Sequence, residues 1–184
     1  DNRGEWFEIH NTLDRPVHVD GISVTGVDGE GFTIESTNLI PAGGYAVFAT
    51  RLSPTINGGI DNVFEQYFIS ELRLYIWGSI TLSSPNGYVI DEVVYDTGEG
   101  YPSEYGSSMT LGVLNSVEND LYPFWCDATS TYGDGDFGTP GTANDLCDVP
   151  IYLDDTTEGD LVISEIMHST VNSMDSKGEW FEIY

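Results

Sequence analysis

One short segment occurs twice in this chain, near its two ends. Residues 4–10 read Gly-Glu-Trp-Phe-Glu-Ile-His, and residues 178–184 read Gly-Glu-Trp-Phe-Glu-Ile-Tyr, with an offset of 174 in 184 residues. Such alternation of apolar and charged residues is typical of a β-strand. A domain that closes on itself does not need the same strand twice, whereas a repeat array or a subunit that passes a strand to a neighbour does.

The remainder of the sequence predicts an all-β fold. Short alternating apolar runs are separated by Gly, Pro, Asn and Asp, and no long segment has the apolar spacing of a helix. Residues 45–49 are almost wholly apolar, so we expect a strand at the centre of a sheet. Asp28-Gly29 and Asn86-Gly87 are typical of hairpin turns. The alternation over residues 72–76 predicts a further strand, which residues 80–82 continue.

The charge of the chain restricts its partners. It carries 31 acidic and 5 basic residues, for a net charge of −26. Nucleic acid is not expected as a partner, because its phosphates would be repelled. Membrane insertion is not expected either, since no apolar run reaches about 18 residues. The chain starts at Asp1 without Met, which is typical of a mature product, a fragment or a window on something longer.

Two explanations of the acidity stay open. The carboxylates serve solubility in salty water, which screens their repulsion, or clusters of them bind a divalent cation. Asp134 and Asp136 on a Gly-rich loop are the candidate calcium ligands, because hard cations prefer oxygen donors at close spacing. A simple polar turn is the alternative reading of these two residues.

Two cysteines, Cys126 and Cys147, flank a Gly- and Asp-rich segment. The chain has no CxxC of the metal-binding type, so the pair predicts a disulfide and an oxidising, extracellular compartment. Free buried thiols are the alternative. A bridge here closes a loop of about 20 residues and stabilises the fold by about 3 kcal/mol in the chain-entropy estimate.

The sequence predicts that the chain has three parts. Residues 1–147 form a body and residues 148–160 form an acidic linker. Residues 161–184 form two strands, of which the second is the duplicate. Fully extended, the 13 linker residues span about 43 Å, which is enough to cross a domain.

Several segments in combination resemble a lamin-tail domain, and they cover most of the chain. The segments are Leu-Val-Ile-Ser-Glu-Ile at 161–166 with the duplicated strand at 178–184, Ile-Pro-Ala-Gly-Gly-Tyr at 40–45, Leu-Ser-Ser-Pro-Asn-Gly at 82–87 with Val-Ile-Asp at 89–91, Gly-Ser-Ser-Met at 106–109, and Gly-Thr-Pro-Gly-Thr-Ala-Asn at 138–144. The resemblance implies an immunoglobulin-like β-sandwich. In bacterial members it implies a module of a secreted or cell-surface protein rather than an enzyme.

The order of the segments departs from the family. The family's first strand precedes its Glu-Trp strand, whereas here residues 1–147 begin at the second strand and residues 161–184 supply a first and second strand. Three explanations are open: a window on a tandem array, a tail that completes a neighbouring subunit, or a tail that folds back on its own body. The last makes residues 178–184 compete with residues 4–10 for one place.

The second explanation predicts a fibre or stalk in which copies of this chain share terminal strands, and the first makes the units repeats of one tandem array. The strand-donor residues are then Leu161, Val162, Ile163, Ile166, Trp180, Phe181 and Ile183. The acceptor residues are Trp6, Phe7 and Ile9. Glutamates in these strands, such as Glu5, Glu8 and Glu165, are expected either to accept hydrogen bonds from backbone or Ser groups or to line a solvated face.

Catalysis is not expected. The three histidines are scattered, and the sequence contains no Gly-x-Ser-x-Gly, HExxH or P-loop pattern. With 31 acids, a pair of carboxylates in glycosidase arrangement carries no information. The abundant Tyr and Trp residues support a second hypothesis, a secreted adhesion module that binds carbohydrate, with a surface glycan as its partner.

Overall fold

The computed structural model describes residues 3–148, 163–167 and 180–183. The chain divides into two compact units, residues 1–149 and residues 150–184. The strands of the first unit are β1 Trp6–His10, β2 Val17–His18, β3 Ser23–Gly26, β4 Gly31–Thr33, β5 Leu39–Ile40, β6 Tyr45–Ala49, β7 Val63–Gln66, β8 Trp77–Ser83, β9 Val89–Asp96, β10 Met109–Leu111, β11 Trp125–Asp127, β12 Thr131–Tyr132 and β13 Asp136–Phe137. Its helical elements are the one-turn helix α1 Pro54–Asn57 and the 3-10 turns Thr97–Glu99, Glu118–Asp120 and Tyr122–Phe124.

Two sheets carry the architecture of this unit. One has four antiparallel strands in the order β4-β3-β8-β9, and the other has the order β1-β6-β7, in which β7 runs parallel to β6. Three smaller ladders join β2 to β5, β10 to β11 and β12 to β13. The fold is therefore all-β, as the sequence predicts. In the described part of the chain, no helix is long and apolar enough to span a membrane.

The core lies where side chains of the two larger sheets meet. Phe32 of the four-stranded sheet stacks on Tyr67, with ring centroids 5.6 Å apart, and lies 6.3 Å from Phe48. The buried residues of this cluster are Phe7, Val19, Val24, Ile34, Ile40, Ala46, Phe48, Tyr67 and Leu72. Each such large apolar side chain contributes about 1.5–3 kcal/mol through burial, before the cost of ordering it.

The local sequence signals give most of these strands correctly. The apolar run at 45–49 is β6, the middle strand of its sheet. Asp28-Gly29 joins β3 to β4, and Asn86-Gly87 joins β8 to β9. Both glycines have positive φ, 78° and 81°, as these turns require.

The predicted strand over residues 72–76 is wrong, because β8 begins only at Trp77. The backbone of this segment finds partners outside a strand ladder. The amide of Leu72 donates to the carbonyl of Phe68 across a turn, and the amide of Leu74 donates to the Glu5 carboxylate at 3.2 Å. Leu72 is buried, but Ile76 at the other end of the alternation is 71% exposed, so the pattern here reports neither strand pairing nor burial throughout.

The second unit contains a two-stranded antiparallel ladder. Its strands are β14 Ile163–Met167 and β15 Trp180–Ile183. Both were predicted from the sequence. Most of the predicted linker and the donor residues Leu161 and Val162 lie outside the described residues.

Candidate assembly interface

Strand β1 lies at an edge of its sheet. It pairs antiparallel with β6 along its whole length, from Trp6 opposite Ala49 to His10 opposite Tyr45. The pairing extends beyond both ends, because the Thr50 amide donates to the Glu5 carbonyl at 3.1 Å and the Asn11 amide to the Gly44 carbonyl at 2.9 Å. Among the residues that the structure describes, no strand pairs with the other edge of β1.

The free edge presents the backbone groups of alternate residues. The amide and carbonyl of one residue in an antiparallel strand point to the same neighbour, and the next residue points away. Since Glu5 and Asn11 bond toward β6, Trp6, Glu8 and His10 direct their amides and carbonyls to the free edge. Such a row of donors and acceptors is a template for a further strand.

The inner face of β1 is already filled by its own core. Phe7 is 9% exposed and stacks on Phe48, with centroids 5.0 Å apart and planes 8° from parallel. It also contacts Phe32 and Tyr67, and Ile9 packs against the same cluster. Two of the three predicted acceptor residues therefore stabilise the unit itself, and what β1 offers a neighbour is its backbone edge.

The outer face of β1 is covered by a segment from far along the chain, residues 130–142. The indole Nε1 of Trp6 donates to the hydroxyl of Tyr132 at 3.1 Å, and the two rings meet edge to face at 6.0 Å. The carboxylate of Glu8 accepts a hydrogen bond from the amide of Gly141 at 2.5 Å. His10 packs on Tyr45, with ring centroids 4.5 Å apart.

Burial under this segment changes the titration of the face. Burial raises the pKa of Glu8 to about 7, and the hydrogen bond from Gly141 opposes this only in part. Burial lowers the pKa of His10. Burial, followed by the charge of Glu8, raises the pKa of Tyr45. Near neutral pH, Glu8 is thus the group on this face whose charge changes.

In the second unit, the sequence of β1 occurs again, in strand β15, and there it is paired with β14. Trp180–Ile183 has the same sequence as Trp6–Ile9, and here it is paired with Ile163–Met167. The register places Met167 opposite Trp180, Ile166 opposite Phe181, Glu165 opposite Glu182 and Ile163 opposite Ile183, with an irregularity between Ile163 and Glu165. The predicted donors Ile163, Ile166, Trp180, Phe181 and Ile183 thus belong to one ladder.

The predicted disulfide is confirmed. Cys126 and Cys147 are bonded, with their Cα atoms 5.7 Å apart, and no cysteine of the chain is free. The bridge ties the chain after the 130–142 segment back to β11. The bridge therefore helps to hold residues 130–142 against the outer face of β1.

The candidate calcium ligands lie in the turn between β12 and β13. Asp134 is within this turn and Asp136 opens β13, and both are exposed. Within the described residues, no group of three or more His, Cys, Asp or Glu side chains is arranged to hold a metal ion.

An exposed aromatic pair lies just before and at the start of β8. Tyr75 and Trp77 stack with ring centroids 6.0 Å apart and planes 17° from parallel, and they are 42% and 50% exposed. The guanidinium of Arg73 lies 5.8 Å from the centre of the Tyr75 ring. Sequence analysis did not single out this pair, because the residues alternate within a segment that the pattern assigns to a strand.

Two comparisons with known proteins identify no relative. No family model matches the sequence, and no curated protein matches it.

Proposed function

We propose that this chain is a structural, non-enzymatic repeat unit of an extracellular fibre or stalk, in which residues 161–167 of one copy add to the free edge of β1 in the next. One observation carries the proposal. The sequence of β1 recurs at 180–183 with a strand paired to it, whereas one edge of β1 has no partner strand within the described residues.

Strand addition is physically favourable at such an edge. Main-chain hydrogen bonds form along the ladder, and unpaired edge groups are satisfied. A strand with the sequence of residues 161–167 carries apolar side chains at five of seven positions. Burying about four of them contributes about 1.5–3 kcal/mol each, before the cost of ordering the strand.

The proposal also covers the protein family of the chain and its cellular location. The two sheets that meet over one core support an immunoglobulin-like sandwich of the lamin-tail type, with residues 161–184 as the start of the following unit. The disulfide supports an oxidising compartment, which for a chain of this acidity is the outside of a cell.

A truncation tests the proposal. A chain without residues 161–184 should remain folded, with its disulfide formed, but should stay monomeric or aggregate without order. Electron microscopy and sedimentation velocity, beside the full chain, give the readout. Ordered assembly that survives the truncation would rule out strand sharing.

A point variant provides the matched comparison. Proline at Ile166 removes a backbone donor from the middle of the donor strand, so Ile166→Pro should abolish assembly. Val171→Pro, in the segment that the sequence predicts to be a loop, should leave assembly intact. Equal loss in both variants would indicate that the tail acts through something other than β14.

A second candidate function is supported by the Tyr75–Trp77 pair. Exposed aromatic faces beside a guanidinium suit the apolar face and hydroxyl groups of a sugar ring, so the pair favours a glycan-binding adhesion module. A polysaccharide pull-down should then be saturable, and Trp77→Ala should abolish it. Tyr105→Ala, which removes an almost fully exposed aromatic from another loop, is the control.

A further inference from the structure

The proposed strand addition has a template within the chain, because β14 already pairs with a copy of the β1 sequence. Subtracting the offset of 174 from the positions of β15 turns Trp180, Phe181, Glu182 and Ile183 into Trp6, Phe7, Glu8 and Ile9. The observed register then sets Met167 opposite Trp6, Ile166 opposite Phe7 and Glu165 opposite Glu8. Glu8 is one of the residues whose backbone groups point to the free edge.

Directly opposed residues of an antiparallel pair project their side chains to the same face of the sheet. Their Cβ atoms are about 4.5–5.5 Å apart, and like charges at this distance are destabilising. In the proposed register, Glu165 arrives on the outer face beside Glu8, which residues 130–142 already shield from water. Two carboxylates in such a place ionise together only at high cost, so one of them keeps a proton.

We propose that residues 163–167 of one copy exchange their own β15 for the edge of β1 in another copy, in the register of β14 and β15, and that the Glu165–Glu8 pair so formed shares one proton taken from the solvent. This inference rests on the proposed function and adds to it a register and a control of assembly by pH. At pH values where Glu8 of the free unit is ionised, assembly is therefore accompanied by the uptake of one proton.

The other titratable groups on this face stay neutral in that range. They are His10 on β1, Tyr45 on β6 and Tyr132 on β12. Burial lowers the pKa of His10 from 6.5 and raises the pKa values of both tyrosines from 10. Asp136 is the nearby carboxylate that acts on Tyr132. Residues 139–142 carry no ionisable side chain, and Glu165 is the ionisable residue of β14.

The expected pH dependence follows from these groups. Below about pH 7, Glu8 is protonated before and after assembly, and the pair contributes no dependence. Above pH 7, one proton is taken up for each junction, so association weakens by up to about tenfold per pH unit. Sedimentation velocity of the full chain at constant ionic strength, at pH 6.5, 7.5 and 8.5, measures this change.

Three variants assign the effect. Glu8→Gln and Glu165→Gln should each associate at pH 8.5 as strongly as the parent does at pH 6.5, because the amide replaces the protonated acid. Glu92→Gln removes one charge from an exposed position of β9 and should keep the parent's pH dependence. If the Glu8→Gln chain keeps that dependence, or if the parent associates equally at pH 6.5 and 8.5, the shared proton is refuted while strand addition stands.

Cross-linking tests the register separately. A mixture of Glu8→Cys and Glu165→Cys chains should form a disulfide-linked dimer under mild oxidation, since directly opposed residues lie within disulfide range. A mixture of Glu8→Cys and Ile166→Cys chains should not, because Ile166 follows Glu165 in the regular part of the ladder and adjacent residues point to opposite faces. Equal cross-linking in both mixtures overturns the register. Absence of association at every pH overturns this inference together with the proposed function.

Discussion

Asn57 illustrates how single buried polar residues shape this fold. It is 1% exposed, and its amide nitrogen donates to the carbonyls of Arg51 and Ile60 at 3.0 and 3.1 Å. Its side-chain oxygen accepts from the amides of Gly59 and Ile60 at 3.2 and 2.9 Å. One side chain thus satisfies four backbone groups of a Gly-rich loop that has no strand partner.

Replacing Asn57 by Ala should lower the free energy of unfolding by about 1–3 kcal/mol, because buried backbone groups lose their partners. Urea denaturation of the two proteins measures the difference. The control is Asn62→Ala, at an exposed position of the same loop, for which a change within about 0.5 kcal/mol is expected. Equal losses at the two positions would contradict the role assigned to Asn57.

Glu8 links stability to pH within a single unit. Its pKa is about 7 in the folded chain, whereas an unfolded Glu titrates near 4.3. Between these values the folded chain holds a proton that the unfolded chain has lost. The stability from this group is therefore complete below about pH 4 and is lost as the pH rises to 7, by an amount on the order of 3 kcal/mol.

Glu8→Gln should remove this slope and be more stable than the parent at pH 8. Urea denaturation from pH 5 to 8.5, at a concentration low enough to keep the chain monomeric, gives the comparison. Glu92→Gln, at an exposed position of β9, should keep the parent's slope. Parallel pH profiles for the parent and Glu8→Gln would show that Glu8 is not buried as the structure has it.

At the scale of elements, the backbone of the β12–β13 hairpin packs closely against the backbone of the loop after α1. The amide of Asp134 donates to the carbonyl of Gly58 at 3.0 Å. A Cβ on Gly133 would overlap that carbonyl and also approach Gly59. Gly133 also has a φ of 45°, in the left-handed region. Both conditions require glycine at this position.

Gly133→Ala should therefore destabilise the chain by at least about 3 kcal/mol, from strain in φ together with overpacking. Gly43→Ala is the matched control, since Gly43 has a φ of 63° in the same left-handed region but open space around its Cα. This variant should lower the free energy of unfolding only through the strain of a positive φ, by about 1–2 kcal/mol. Thermal unfolding followed by circular dichroism distinguishes the two, and equal losses would refute the close approach.

Local turns could be predicted from the sequence, whereas contacts between distant segments could not. Asp28-Gly29 and Asn86-Gly87 predict their hairpins because the glycine supplies the positive φ that each turn needs, 78° and 81°. The error at residues 72–76 arises because apolar alternation does not show which group receives each amide, and here the amides of Leu72 and Leu74 bond to a turn carbonyl and to Glu5. The contact between Glu8 and Gly141 spans 133 positions, and nothing in either local sequence indicates it. The edge position of β1 was predictable only through its duplicate at 180–183.

At the scale of the whole molecule, the dominant force besides burial is self-repulsion. A net charge of −26 opposes both compaction and the meeting of two copies. Many carboxylates are stabilised by hydrogen-bond donors rather than by cations. Glu65 accepts from the amides of Glu35 and Ser36, and Asp145 accepts from Thr129 and Ser130. These bonds organise loops but leave the net charge unchanged.

Salt should therefore strengthen both folding and assembly. Raising NaCl from 0.01 to 0.5 M shortens the screening length from about 30 Å to a few Å. We expect a gain on the order of 1–2 kcal/mol in stability, or about 2–8 °C in melting temperature. Absence of any salt effect would contradict self-repulsion as the force that limits stability.

Calcium at matched ionic strength separates the two explanations of the acidity. If the carboxylates serve solubility alone, CaCl₂ and NaCl should give the same melting curve, and a chelator should change neither. If Asp134 and Asp136 bind calcium, the CaCl₂ curve should lie higher by the mass-action term for a ligand of the folded state. Asp134→Asn with Asp136→Asn should then abolish the excess, whereas Asp28→Asn, in the β3–β4 turn, should retain it. An excess that survives the double substitution would place the calcium elsewhere in the chain.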